Sequence, residues 1–143
     1  MIEVKPDETP AHYEAGVVYR LMKRDADADA HFRQFRTTLE KRVRADPTSP
    51  DRYLSLAMVA LRLGEPARAD TLMRKSIAMD PDQHFGLATY WSVRGDRQTA
   101  IDQLELAIQK GFRNYIWLTI HVDLDNLRGE PRFQALLSRV IKK

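Results

Sequence analysis

Cysteine is absent from this 143-residue sequence, and long apolar runs are absent as well. Without cysteine the chain can form neither a disulfide framework nor a thiolate zinc site, so a metal site would need histidines and carboxylates alone. A membrane-spanning helix needs about 18 consecutive apolar residues, and no such run occurs. The first ten residues, MIEVKPDETP, have no apolar core of signal-peptide length. We therefore expect a soluble, cytoplasmic protein.

A strong excess of either charge is also missing. The chain has 23 basic and 20 acidic residues, a net charge of +3, so its overall charge does not by itself indicate a nucleic-acid partner. Hydrophobic residues make up 43% of the composition, which is enough for a chain of this length to bury a core. We expect a single domain over residues 1–143.

Two similar stretches are the clearest positive signal. GEPARADTLMRKSIAMDP begins at Gly64, and GDRQTAIDQLELAIQKG begins 31 positions later at Gly95. Each opens with a glycine, and each carries small residues seven positions apart: Ala69 and Ser76, then Ala100 and Ala107. A repeat of this period predicts stacked supersecondary units.

The stretch before Gly64 predicts a first helix for one such unit. Ser49 and Pro50 are typical of an N-cap and a first helical position, and Gly64 is typical of a helix end. An apolar stripe at helical spacing runs between them: Tyr53, Leu56, Ala57 and Ala60. A second stripe follows the glycine: Ala69, Leu72, Met73, Ser76 and Ile77. The pattern predicts a helical hairpin.

Segment 50–83 resembles the tetratricopeptide repeat (TPR) family over a full unit of about 34 residues. The matching positions are Tyr53, Leu56, Ala57, Gly64, Ala69, Met73, Ser76 and Pro81. A second copy starts at Pro81 and has Leu87, Ala88, Trp91, Gly95, Ala100, Leu104 and Ala107 in the corresponding places. A weaker upstream copy has Tyr13, Ala15, Gly16, Tyr19, Ala28 and Phe32, but Lys23 stands where the turn glycine is expected.

The second helix of the upstream copy is longer than the pattern requires. It continues to Pro47, about seven residues or two helical turns too far. Its apolar face stays in phase: Phe32, Phe35, Leu39 and Val43. We expect this helix to protrude.

The segment after residue 113 departs from the repeat pattern. A last helix is predicted from about Pro131, with one basic face and one apolar face that consists of Phe133, Leu136, Leu137 and Val140. Such a helix suits a cap on a repeat stack. The segment also looks like the tail that follows TPR repeats in bacterial multi-modular proteins, including signalling kinases and transcriptional regulators.

The resemblance implies an all-α, right-handed α-solenoid of about three TPR-like hairpins with a C-terminal capping helix. The expected repeats span about 9–47, 50–80 and 81–113, and the cap spans 114–143. In this family the first helices of successive repeats line a concave groove that contacts partners. The positions carried over are Tyr13, Val17, Arg20, Leu54, Met58, Leu61, Arg62, Phe85, Thr89 and Ser92.

These ten positions, called the predicted groove set below, indicate a non-catalytic protein–protein interaction module that binds a peptide or an amphipathic helix. Leu54 and Met58 are expected to be exposed there, and they stand where the subfamily that clamps chaperone C-termini has Lys and Asn, so chaperone-tail binding is not expected. Two alternatives stay open. The apolar groove and the protruding helix could form a homodimer, or the basic helix 26–45 could bind nucleic acid through Arg33, Arg36, Lys41, Arg42 and Arg44.

Catalytic, metal and cofactor sites are not indicated. DADAD at 25–29 begins like a calcium loop, but Ala30 and Arg36 replace the required glycine and glutamate. No two histidines show metal-ligand spacing among His12, His31, His84 and His121. Asp123 and Asp125 fit a turn better than an acid–base pair. We expect no enzyme activity, no cofactor and no metal.

Overall fold

The computed structural model describes residues 9–141, and this part of the chain is all-helical, without strands. The α-helices are α1 (Thr9–Leu21), α2 (Asp25–Ala45), α3 (Pro50–Arg62), α4 (Pro66–Met79), α5 (His84–Arg94), α6 (Arg97–Gln109), α7 (Tyr115–Ile120) and α8 (Pro131–Ile141), with a 3-10 helix at Val122–Leu127. Within residues 9–141, no helix has the length and apolar character needed to span a membrane. Residues 1–8, which make up most of the N-terminal stretch MIEVKPDETP, lie outside the described residues, and so do Lys142 and Lys143.

The chain forms two compact units, which meet in sequence between Asp80 and Pro81. This boundary falls where the sequence predicts the end of the second repeat. The first unit contains α1 to α4, and the second contains α5 to α8 with the 3-10 helix.

The first unit consists of two helical hairpins. Helix α1 packs on α2, α3 packs on α4, and α2 joins the hairpins by packing on α3. Helices α1 and α2 approach closely at Gly16, where an added Cβ would lie 2.6 Å from the Phe32 ring. Ala57 is fully buried at the matching position of the second hairpin. Small residues at these places allow the helices to pack closely.

The hairpin turns share one backbone pattern. At Gly64, φ is +76°, its N–H donates to the Leu61 carbonyl, and the following N–H of Glu65 donates to the Ala60 carbonyl. The turns at Gly95 and Gly111 repeat this arrangement. Such a left-handed residue satisfies carbonyls that the helix end would otherwise leave unpaired.

The first hairpin uses the same turn without a glycine. Lys23 has φ of +60°, its N–H donates to the Arg20 carbonyl, and the N–H of Arg24 donates to the Tyr19 carbonyl. Lys23 therefore occupies the turn position, where the sequence pattern placed it. Because a Cβ disfavours this conformation, Lys23 is strained where Gly64 is not.

Helix α2 is longer than its counterparts, as predicted: it has 21 residues, whereas α4 has 14. Its predicted apolar face is turned inward, with Phe32, Phe35 and Leu39 buried and Val43 half-buried. At the start of α3, Ser49 occupies the N-cap position and Pro50 the first turn, but the Ser49 side chain makes no capping hydrogen bond.

The second unit is a hairpin covered by the C-terminal elements. Helices α5 and α6 pair, the 3-10 helix packs on α5, and α8 packs on α6 and α7. Three of the four predicted apolar residues of α8 are buried, and Leu137 packs against the same core. That core contains Ala88, Ala100, Ile101, Leu104, Ile108, Leu118, Leu124, Leu127, Phe133, Leu136 and Val140. Helix α8 and the 3-10 helix thus lie against the α5–α6 hairpin.

Candidate functional site

The predicted groove residues of the first unit lie on α1 and α3, but none of them is exposed. Four of them are buried: Tyr13, Val17, Leu54 and Met58. The other three are half-buried: Arg20, Leu61 and Arg62. The expectation that Leu54 and Met58 are exposed is wrong, because their exposed fractions are 6% and 7%. Every residue from Tyr53 to Ala60 except Ser55 is buried. Neighbouring elements therefore cover α3 on more than one face, as is typical of a helix whose apolar residues are not confined to one stripe.

Three members of the predicted groove set are brought together by side-chain contacts. The Arg62 guanidinium donates from Nε to the Tyr13 hydroxyl at 3.1 Å, and Arg20 donates to the Arg62 carbonyl at 3.3 Å. Arg20 also pairs with Asp29 at 2.5 Å and with Asp25 at 3.7 Å. The charge of Arg20 is thus largely balanced within the hairpin.

The acidic residues of the DADAD stretch have structural partners. Asp25 and Asp29 pair with Arg20, while Asp27 accepts from Arg24 at 2.9 Å. Asp25 and Asp27 lie in the first turn of α2, where negative charge is favourable. Among residues 9–141, no three histidines or carboxylates are placed together to hold a metal ion.

The predicted groove residues of the second unit are also covered. Phe85 is half-buried, while Thr89 and Ser92 are buried. The Thr89 hydroxyl donates to the Gly86 carbonyl at 2.6 Å. The Ser92 hydroxyl has no hydrogen-bond partner in the described structure, although the Ser92 carbonyl accepts from Asn126 at 2.8 Å. Thr89 and Ser92 are therefore interior residues of the second unit.

An aromatic cluster surrounds Phe85, and sequence reasoning missed it. The Phe85 ring stacks on Phe112 with centroids 4.7 Å apart, and it lies 5.6 Å from both Trp117 and His121. Trp117 and His121 are in turn 5.6 Å apart. These residues come from α5, the turn after α6, and α7 with its C-cap, so no short sequence window contains them.

A cleft of about 340 Å³ opens beside this cluster and is lined by Asp82, Gln83, His84, Phe85, Gly86, Ala107, Lys110 and Phe112. Lys110 donates to Asp82 at 2.9 Å, and this hydrogen bond is the main reason why the pKa of Asp82 lies below its usual value. His84 Nδ1 lies 2.9 Å from Gln103 Oε1, whereas its Nε2 is 3.6 Å from Asp82, beyond hydrogen-bond distance. The cleft is apolar on the Phe side and charged at Lys110 and Asp82.

Helix α7 presents an unusually apolar surface beside the cluster. Ile116 and Ile120 are each 65% exposed, Trp117 is 49% exposed and Tyr115 is 37% exposed, while Leu118 alone on this helix is buried. The Asn114 side chain caps the helix by accepting from the Trp117 N–H at 3.0 Å. The sequence YIWLTI could have predicted this exposure, because a helix of six residues cannot point five large apolar side chains toward one core. We call Tyr115, Ile116, Trp117 and Ile120 the α7 face.

The basic residues of α2 are in part neutralised. Arg36 donates to Glu65 at 2.7 Å, a hydrogen bond that is the main cause of the lowered pKa of Glu65, and lies 3.8 Å from Glu40. The other four are exposed: Arg33, Lys41, Arg42 and Arg44. Nucleic-acid binding by this helix stays a prediction.

The two aspartates near the C-terminus have different surroundings. Asp125 is exposed and accepts from Arg128 at 2.8 Å, whereas Asp123 is buried next to His121. Both lie in the 3-10 helix.

No protein-family profile matches this sequence, and no curated protein matches it significantly.

Proposed function

We propose that this protein is a non-catalytic interaction module that binds an apolar segment of a partner protein. The observation that carries the proposal is the α7 face, where Ile116 and Ile120 are each 65% exposed and Trp117 is 49% exposed. Large apolar residues clustered on a surface are typical of protein interaction sites, and aromatic residues are enriched there.

The neighbouring cleft indicates what kind of segment fits. Trp117 belongs both to the α7 face and to the aromatic cluster with Phe85 and Phe112, so the exposed surface continues toward the cleft. A peptide or amphipathic helix with two or three apolar anchors would bury its side chains against these rings. The Lys110–Asp82 pair at the cleft offers polar contacts beside them.

We also propose that the hairpins are TPR-like and that the two hairpins of the first unit stack as in a right-handed solenoid. The support is the recurrence of one turn geometry at Lys23, Gly64 and Gly95, together with small residues at the close helix contacts, Gly16 and Ala57. Modules of this kind act by presenting surfaces rather than by chemistry.

The test compares two variants of the second unit. Peptides are first selected from a random library on the wild-type protein, and binding is then measured by Trp fluorescence. Ile116→Glu with Ile120→Glu should abolish binding while circular dichroism stays unchanged, because exposed substitutions alter stability by only about 0.5 kcal/mol each. Leu106→Glu is the control, since Leu106 is also an exposed apolar residue but lies on α6. Binding that survives the double substitution would refute the site.

A homodimer through the α7 face is the second candidate, because the same exposed apolar surface could pair with itself. Sedimentation velocity over a hundredfold range of concentration distinguishes the two. A dimer that the Ile116→Glu, Ile120→Glu variant converts to a monomer supports self-association. A wild-type protein that stays monomeric at all concentrations would exclude self-association and favour binding of a different protein at the α7 face.

A further inference from the structure

Two histidines that are far apart in sequence meet inside the first hairpin. His12 on α1 is 6% exposed, and His31 on α2 is half-buried. Their Nδ1 atoms lie 3.0 Å apart, and their ring centroids lie 5.2 Å apart. The contact therefore joins the two helices through a hydrogen bond between two titratable groups.

The number of protons on the two rings decides whether this contact exists. A bond between Nδ1 atoms needs one N–H donor and one lone pair, so one ring must keep Nδ1 unprotonated. Neutral rings satisfy this, and so does a pair with one imidazolium. Two imidazolium rings would instead place two N–H groups and two positive charges against each other at 3.0 Å. While the contact is closed, the two rings can therefore carry at most one extra proton between them, whereas two separated histidines can carry two.

The surroundings of His31 favour its neutral form. Burial and the neighbouring His12 both lower the pKa of His31, in that order, while Asp27 on its own helix acts in the opposite direction. From α1, the Tyr19 ring stacks on His31 with centroids 5.4 Å apart, and the Arg24 guanidinium lies over that same Tyr19 ring. Helix α3 also packs on α2, and its Arg62 donates a hydrogen bond to the Tyr13 hydroxyl of α1.

We propose that the contact between His12 and His31 is a proton-sensitive device that holds α1 on α2 at neutral pH and weakens this hold on acidification. A histidine that is neutral when the hairpin is closed gains a proton when it opens, so the closed state is stabilised above the ordinary histidine pKa of about 6.5 and loses stability below it. Excluding one proton raises the opening constant by at most about tenfold between pH 7.5 and pH 5.5.

The experiment measures hydrogen exchange of the α1 amides at about pH 7.5 and pH 5.5, corrected for the intrinsic rate at each pH, in the presence of a metal chelator. The wild-type protein should show an opening constant several-fold larger at the lower pH. His31→Asn keeps a side-chain amide that can hydrogen-bond to His12 but cannot titrate, so its opening constant should change much less. His121→Asn, a histidine substitution in the second unit, should behave like the wild-type protein.

A second measurement keeps the test decisive if His31→Asn disturbs folding. Titration of the wild-type protein followed by the histidine ring signals in NMR should show that the His12 and His31 rings do not both become charged while the α1 amides remain protected. In His12→Asn, the His31 ring should be able to gain its proton while the α1 amides remain protected. Two rings that both gain a proton with α1 still protected, or equal pH responses in wild-type and His31→Asn proteins, would overturn the proposal.

Discussion

Lys23→Gly should stabilise the first unit. Lys23 has φ of +60° and makes the same two turn hydrogen bonds as Gly64, whose φ is +76°. The backbone therefore keeps a left-handed conformation in both turns, with and without a Cβ. The substitution removes the steric cost of that Cβ and leaves the hydrogen bonds in place.

The expected gain follows from two opposing terms. A non-glycine residue in the left-handed region costs about 1–2 kcal/mol. Part of this gain is lost, because glycine has more conformational freedom in the unfolded chain, and ordering it costs about 0.5–1 kcal/mol more on folding. The net stabilisation is about 0.5–1 kcal/mol, which corresponds to a rise in Tm of roughly 2–8 °C for a unit of this size.

Thermal unfolding followed by circular dichroism measures the effect, and the reciprocal substitution is the matched control. Gly64→Lys lies in the same kind of turn in the same unit, and an added Cβ there meets no atom within 4 Å, so it should lower Tm through backbone strain alone. The reasoning would be refuted if Lys23→Gly left Tm unchanged or lowered it while Gly64→Lys was tolerated.

Three further substitutions test the packing by urea denaturation. Gly16→Ala should cost about 1–3 kcal/mol, because the new Cβ would lie 2.6 Å from the buried Phe32 ring; an unchanged midpoint would mean that the ring can move away. Ala69→Leu should also cost about 1–3 kcal/mol at a fully buried site, whereas Arg68→Ala beside it should be tolerated, and equal effects would contradict the helix orientation. Phe133→Ala should cost about 3–5 kcal/mol, since this ring is 1% exposed in the second unit's core, and a small loss would show α8 to be dispensable.

Local patterns in the sequence were sufficient to predict the hairpins. Gly64 and Gly95 end their helices in the left-handed conformation, and Ala69, Ala100 and Ala107 are buried at helix contacts. These features depend on backbone sterics and on which residues share one helix face, and both can be read within a few turns of chain. The apolar face of α8 was predictable for the same reason.

The candidate sites depended on contacts that no local pattern contains. Periodicity shows that a helix has an apolar face, but it does not show whether neighbouring elements cover a second face as well. Leu54 and Met58 are consequently buried although the repeat pattern assigned them to an exposed groove, while Ile116 and Ile120 remain open on α7.

The sequence by itself determined the helices, their turns and the pairing of neighbouring helices, because these follow from interactions between residues close in the chain. Only the tertiary structure decided that His12 meets His31, 19 positions away, with two ring nitrogens 3.0 Å apart. It also decided that Phe85 stacks on Phe112 beside Trp117. Such contacts form when separately predictable helices pack, since packing fixes which side chains from distant segments share one interior or one surface.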